Sequence, residues 1–474
     1  MAAIDVVIVA TVLLVTLIIG VVDRRRVTLE DYWVNGRRTG AFVLVATIFS
    51  TFVGVGAILG NSGVAFGGGG LAALAIPLSF LFYLVIFNLF FAPKIKEFGD
   101  KHKSFTIPDF LEIRYSSRVR LIGAIVNLIG FGLYTALQIL GIAVLVNALT
   151  GINPTLATLL GGGIAIIYTT FGGLRADIRT DVFQFFVMLL LFLVFLPIII
   201  TKGGGFGALA SLPSSVLLGE EFAPWYVFVL AFFFVGASVL ASADIWQRIY
   251  SARDKKSILK SRWWIVILVF AFMAMGTLLG LYGKILLPDA SSNTVVADLL
   301  RMFLPVGLYG LVLAGFFAAI MSSVDSMIII TSMTIVRDIY HKGLRKELDH
   351  EKTLRLSRIV SLVVGLLGLI IALLIFDIVH LAVESISFFV VLLPTIVFGF
   401  YWKRASEKAA FWSILFGMLS IIVFIFVDPV QAFIPGTLVS FAVFVAVALL
   451  TKDKTTPLTT NHSKKTWCRI SRHQ

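Results

Sequence analysis

Charge is scarce in this chain: only 14% of its 474 residues are Asp, Glu, Lys or Arg, about half the share of an ordinary soluble domain. Cysteine is scarcer. Cys468 is the only one and lies in a polar tail, which excludes an internal disulfide and a thiolate metal site. Six histidines are scattered, five of them outside the apolar segments, so no histidine cluster offers a metal centre. No glycine loop ends in a phosphate-binding lysine, and the run Gly67–Gly70 lacks the spacing of a dinucleotide fingerprint. A nucleophile elbow is also missing. These absences leave enzymatic chemistry without residues to perform it, and the chain is read as a protein other than an enzyme.

What is present is apolar. Hydrophobic residues make up 59% of the chain and the mean hydropathy is +1.00. At about 20 residues per crossing, thirteen apolar segments can be counted, near 4–22, 40–60, 66–92, 120–149, 154–172, 180–200, 223–243, 261–287, 302–331, 354–376, 378–400, 408–427 and 431–450. They are called spans 1 to 13. The expected fold class is an all-α membrane protein of about 13 transmembrane helices embedded in a lipid bilayer. Span 1 is too long for a cleaved signal peptide and has no small-x-small site before Asp23.

The net charge of +13 would suit nucleic acid, but its placement gives another reason for it. Of the 39 Lys and Arg, only Lys202, Lys284 and Arg301 fall in the alternate set of loops that includes the 201–222 connection; the other 36 fall in the opposite set and the tail. That is the positive-inside pattern. It predicts a plasma-membrane protein with the N-terminus outside and the C-terminus in the cytoplasm, and no nucleic-acid partner.

Two stretches carry polar groups where a bilayer would make them costly. Span 9 contains AGFFAAIMSSVDS at 314–326, in which Ala319, Ser322, Ser323 and Ser326 recur at the spacing of one helical face, with Asp325 beside them. An all-oxygen cluster of this kind suits a hard cation. Helix packing explains the same serines equally well, because small residues line membrane helix contacts. Span 2 carries Gly54, Gly56 and Gly60 among β-branched valines, which weakens the middle of its helix. Broken helices at mid-membrane are how many transporters build sites; close packing by small residues is the other reading. Tyr134 and Gln138, four apart in span 4, face a cavity or pack with a hydrogen bond. Asp181 in span 6 is a cation ligand or a helix cap. Asp244, Gln247 and Arg248 fall at the inner boundary, where snorkelling and loop pairing are a sufficient account. Glu384 in span 11 is an intramembrane acid without an evident partner.

The ordered set of TLEDYWVNGRR, TIPDFLEIRY, YTTFGGLRADIRTDVFQ, DIWQRIYSARD, AAIMSSVDSM and YWKRASEKAAFWSILFG, spread over about 28–420, resembles the sodium:solute symporter family. The resemblance implies a LeuT-like core at 40–400, made of two inverted five-helix repeats at about 40–200 and 223–400. Residues 1–39 are then a first span and cytoplasmic linker, 401–450 two extra spans, and 451–474 a cytoplasmic tail. By motif position it implies a sodium site formed by carbonyls of Ser50, Val53 and Ala319 and hydroxyls of Ser322 and Ser323. It implies a second cation position at Asp181, Ser322, Asp325 and Ser326, where Asp325 stands in place of a serine and leaves sodium and proton coupling both open. Thr51, Phe52, Gly54, Gly56, Tyr134, Gln138 and Glu384 become substrate candidates.

The function so implied is import of a small organic solute, such as an amino acid or a monocarboxylate, with one or two sodium ions by alternating access. A proton-coupled symporter of the same fold is the alternative; a passive channel and a transceptor are more distant ones. The oligomeric state is left open.

Overall fold

A computed structural model describes residues 2–22, 28–169, 173–344 and 349–451. The tail with Cys468, the Arg24–Arg26 run and part of the turn after span 5 lie outside the described residues. Among the described residues the chain is helical throughout, and its only strand-like feature is an isolated bridge between Thr39 and Ala252. Ten helices are long and apolar enough to cross a membrane, or eleven if the bent pair Trp225–Ala241 and Ala243–Ser251 is one crossing. The described part of each of the thirteen apolar segments falls mainly on helix. The shortfall of three in the stricter count comes from span 5, a 16-residue helix Pro154–Thr169, from span 2, which is broken, and from the bent span 7.

Span 2 is helical over Ala41–Phe52 and stops at Val53, whose φ of −87° and ψ of 63° leave the helical region. It resumes from Val55 with a π-helical turn over Gly56–Gly60. It ends where Gly68 and Gly70 adopt φ of +104° and +53°. The chain there passes so close to its neighbour that a Cβ on Gly70 would lie 1.8 Å from the Val216 carbonyl. Glycine is required at that turn.

Span 7 breaks in the same way. Trp225–Phe234 passes into a 3-10 stretch over Gly236–Ala241, Ser242 is extended, and the helix restarts at Ala243 with a bend of 44°. Its loosened backbone is satisfied from span 3 and from within. Ser79 Oγ accepts from the Gly236 amide at 2.8 Å, and Trp246 Nε1 donates to the Leu240 carbonyl at 2.8 Å. A membrane interior tolerates irregular backbone only with such partners. The two broken helices are the ones that the resemblance puts first in the two five-helix repeats.

Span 8, Lys255–Leu286, lies directly against the second half of span 2. A Cβ on Gly280 would meet the Ser62 carbonyl at 2.3 Å, and Ser62 Oγ donates to the Gly276 carbonyl at 2.8 Å. Span 9, Leu308–Met333, is buried along its whole length at the centre of the bundle.

The loop helix Ile107–Arg114 is largely buried, packed against the rest of the bundle. Its capping box joins Thr106 and Asp109. Asp109 pairs with Arg337 at 2.5 Å and Lys342 at 2.7 Å beyond span 9, and Arg114 donates to the Gly399 carbonyl at 2.8 Å. Burial alone would raise the Asp109 carboxyl, but Arg337 and Lys342 outweigh it and hold it below the usual carboxylate range.

Candidate ion and solute sites

The break in span 2 frees backbone groups that must find partners inside the protein. Two side chains meet them. Gln138 Oε1, from span 4, accepts the Val55 amide at 3.0 Å. Ser323 Oγ, from span 9, lies 2.9 Å from the Thr51 carbonyl and 3.1 Å from the Ala319 carbonyl. Gly54 allows this approach, since a Cβ there would fall 2.5 Å from Ser323 Oγ and 2.8 Å from Gln138 Oε1. Ser323 and Thr51 are shut off from solvent. Three neutral oxygens therefore converge on one buried point between a broken helix and an intact one.

Other members of the expected sodium set are nearby and engaged differently. Ser50 Oγ donates to the Asp181 carbonyl at 3.1 Å, and Ser322 Oγ donates to Asp181 Oδ1 at 2.6 Å. Val53 is the residue at which the first half of span 2 stops. The carbonyl facing Ser323 belongs to Thr51, whose own hydroxyl lies 3.3 Å from Ser326 Oγ.

The expected second cation position holds a cation of the protein's own. Arg248 is fully buried, and its Nη2 donates to Ser326 Oγ at 2.6 Å, Asp177 Oδ2 at 2.9 Å and Asp181 Oδ2 at 3.3 Å. Its Nε donates to Thr47 Oγ1 at 3.0 Å, and Thr47 Oγ1 in turn donates to Asp181 Oδ2. Ser326 Oγ also donates to Asp177 Oδ2 at 3.0 Å. Asp325 is buried on the same helix. Two sequence readings are corrected here. Arg248 does not snorkel to an inner boundary, because the 3-10 stretch and bend of span 7 carry the following helix into the bundle. Asp181 does not cap its helix, which begins at Gly173 and has made two turns before Asp181 turns inward. Asp177 was missed altogether. The signal was available, because Asp177 and Asp181 are four apart and so share a helical face.

A large cavity lies on the other side of span 2. It is mostly aromatic and aliphatic, with Phe52, Phe80, Tyr134, Phe228 and Phe389 in its wall. Its polar lining comes from Asn61, Ser238, Ser242, Asp244 and the Tyr134 phenol. Of the substrate candidates, Phe52, Gly56 and Tyr134 line it. Thr51, Gly54 and Gln138 do not, since they face the opposite side of span 2 or bind its broken backbone. Glu384 is buried off the cavity wall, although Ala382, Val383 and Ile386 of the same helix form part of it. Asn61 and Asp244 were overlooked as lining groups. The π-helical turn rotates Asn61 toward the cavity, and the bend of span 7 does the same for Asp244; neither shift can be read from a regular helical period. Among the described residues no group of three or more His, Cys, Asp or Glu could hold a metal ion together.

Comparison with known proteins agrees with this architecture. The model of the sodium:solute symporter family matches residues 32–417. The osmoregulated proline transporter of Bacillus subtilis (strain 168) is 24% identical over 453 residues, covering 90% of this chain and 91% of its own. The sodium/pantothenate symporter of Escherichia coli (strain K12) is 26% identical over 415 residues, covering 82% and 83%. A solved Na+-coupled sialic acid symporter in a substrate-bound, outward-open state superposes with a TM-score of 0.81 at 20% identity, covering 96% of this chain and 99% of its own.

Proposed function

Since the chain belongs to the sodium:solute symporter family, with a LeuT-like fold, it is a symporter of small organic solutes and not an enzyme, and we propose that its coupling sodium is held where span 9 meets the break of span 2. One observation carries the proposal: Ser323 Oγ, the Thr51 carbonyl and the Ala319 carbonyl converge in a buried, water-excluded place. Hard cations favour oxygen ligands of this kind. The ion would tie the broken helix to the intact one and favour the conformation in which both are docked. Its release would free the bundle to rock, because a ligand shifts a conformational equilibrium only through its unequal affinity for the two states.

The solute would occupy the aromatic cavity beside the same break. The relatives named for proline and pantothenate support a solute of amino-acid or monocarboxylate size. Phe52, Phe80 and Tyr134 would grip its apolar part, while Asn61, Ser242 and Asp244 orient its polar end. The basic-loop asymmetry supports a plasma-membrane protein with an external N-terminus and a cytoplasmic C-terminus. A cysteine placed in the 150–153 turn should then be labelled by impermeant reagents from outside; labelling only after permeabilisation reverses the orientation.

Ser323→Ala tests the sodium site. The sodium concentration giving half of the maximal thermal stabilisation of the purified protein should rise roughly tenfold, the equivalent of about 1.4 kcal/mol for one lost oxygen contact to a charge. Ser323→Thr keeps the oxygen and should shift it less. Ser332→Ala is the control. Its hydroxyl donates to the Ser357 carbonyl at 2.9 Å, away from the convergence point, so sodium dependence should stay the same. A well-folded Ser323→Ala protein with unchanged sodium dependence overturns the site.

A further inference from the structure

We propose that the solute of the aromatic cavity is a small organic cation, an alkylated amine or quaternary ammonium, with Asp244 as its counter-ion. This names the solute class for the cavity assigned above and rests on that assignment. Asp244 is the only charged residue among those that line the cavity. It is 3% exposed, and a carboxylate so buried is costly without a positive partner. Among the described residues no Lys, Arg or His side chain pairs with it. Its side-chain partner is Ser242, whose Oγ donates to Asp244 Oδ1. Arg248, four residues on, meets only the Asp244 backbone carbonyl, at 3.4 Å, and gives its Nη2 to Asp177 and Asp181 instead.

The other polar lining groups point to the same charge. Asn61 commits its Nδ2 to the Met273 carbonyl at 3.1 Å and has an acceptor, Oδ1, left for a ligand. The Ser242 hydroxyl is spent on Asp244. A solute carboxylate would therefore find only the Ser238 hydroxyl and the Tyr134 phenol as donors in the wall. It would also bring a second negative charge to Asp244 in a medium that screens poorly. A cation meets the reverse situation, since the carboxylate and the Asn61 oxygen both attract it.

The rings supply the rest of the recognition. Phe52 and Phe80 meet edge to face with centroids 5.2 Å apart, and Tyr134 and Phe389 do so at 6.4 Å. All four line the cavity. An alkylated ammonium has an apolar surface around a spread positive charge, so it gains both from burial against such rings and from their quadrupoles. An aromatic wall with one unpaired carboxylate in it suits that chemistry better than it suits an anion or a neutral polar solute.

Thermal unfolding of the purified, full-length protein in saturating sodium tests the proposal with probes of similar size and different charge. The cations are choline and tetramethylammonium, the zwitterions proline and glycine betaine, and the anions butyrate and pyruvate. The cations should raise the unfolding temperature. Choline should bind roughly a hundredfold more tightly than its uncharged isostere, in which carbon replaces nitrogen. Asp244→Asn should abolish that preference, and Asp244→Glu, which keeps the charge, should retain most of it. The sodium midpoint without solute should be the same in wild type and Asp244→Asn; a shift there makes Asp244 an ion ligand and overturns the proposal. Failure of both cations to stabilise also overturns it. If a zwitterion or an anion stabilises instead and Phe80→Ala weakens it, the cavity stands and only the cation assignment falls. If Phe80→Ala leaves that stabilisation unchanged, the cavity assignment falls as well. Should Asp244→Asn fail to fold, the order of the probes on the wild-type protein decides.

Discussion

The two faces of span 2 differ more from one another than either differs from the rest of the bundle. One face presents Phe52, Gly56 and Asn61 to a wide, largely apolar cavity. The other presents Thr47, Ser50 and Thr51 to a tight cluster of carboxylates, hydroxyls and one guanidinium. The cavity face meets its ligand by shape and leaves its few polar groups for orientation, as small-molecule sites commonly do. The cluster face has almost every valence committed within the protein, because unmatched charge at that depth is expensive. On the function proposed above, solute and ion would be recognised on opposite sides of a single broken helix, with the break as the joint between them.

Three substitutions sharpen or break this contrast. Asp181→Asn should have the largest effect. It removes a carboxylate that accepts from Ser322, Thr47 and Arg248, leaving the buried guanidinium matched by Asp177 alone, and should lower stability by about 3 kcal/mol. Thermal unfolding of the purified protein reads this, and a loss below about 1 kcal/mol would mean the cluster is far less committed than its geometry implies. Phe80→Ala should be intermediate and confined to the cavity face. Phe80 packs edge-on to Phe52 with ring centroids 5.2 Å apart, so solute affinity should fall about tenfold while the sodium midpoint moves less than about twofold. A comparable shift in both quantities would show that the two faces are not separate. Glu384→Gln should be the smallest. Its side chain lies outside both the cavity wall and the cation cluster, so uptake and sodium dependence should stay within about twofold of wild type. A loss of solute binding in that variant would enlarge the cavity face to include span 11's acid.

Much of the polar face of span 9 was legible in the sequence. Ser322, Ser323 and Ser326 fall on one face of a regular helix, and regular helices preserve their period. Span 9 is such a helix, so the shared face of Ala319 and its serines follows from spacing, whereas the meeting of that face with span 2 was implied by the resemblance alone. Glycines among valines marked span 2 as breakable, and the break occurs at Val53. The spans themselves followed from apolar length, because a bilayer fixes how much chain a crossing needs.

What sequence could not decide begins at the irregular backbone. Arg248 looks like an inner-boundary cation while span 7 is taken as one straight helix. A 3-10 stretch and a 44° bend instead carry it to Asp177 and Asp181, across 71 and 67 residues of sequence. Asn61 and Asp244 reach the cavity through a π-helical turn and the same bend. Gln138, read as a candidate for solute, is used to satisfy the Val55 amide that the break exposes. The sequence by itself determined a polytopic helical bundle, its family and the serine face of span 9, because those depend on composition and on the unbroken period of a helix. Only the tertiary structure decided which residues line the cavity, which meet the break of span 2 and which buried charges pair with one another, because helix breaks shift phase and direction by amounts that no local spacing encodes.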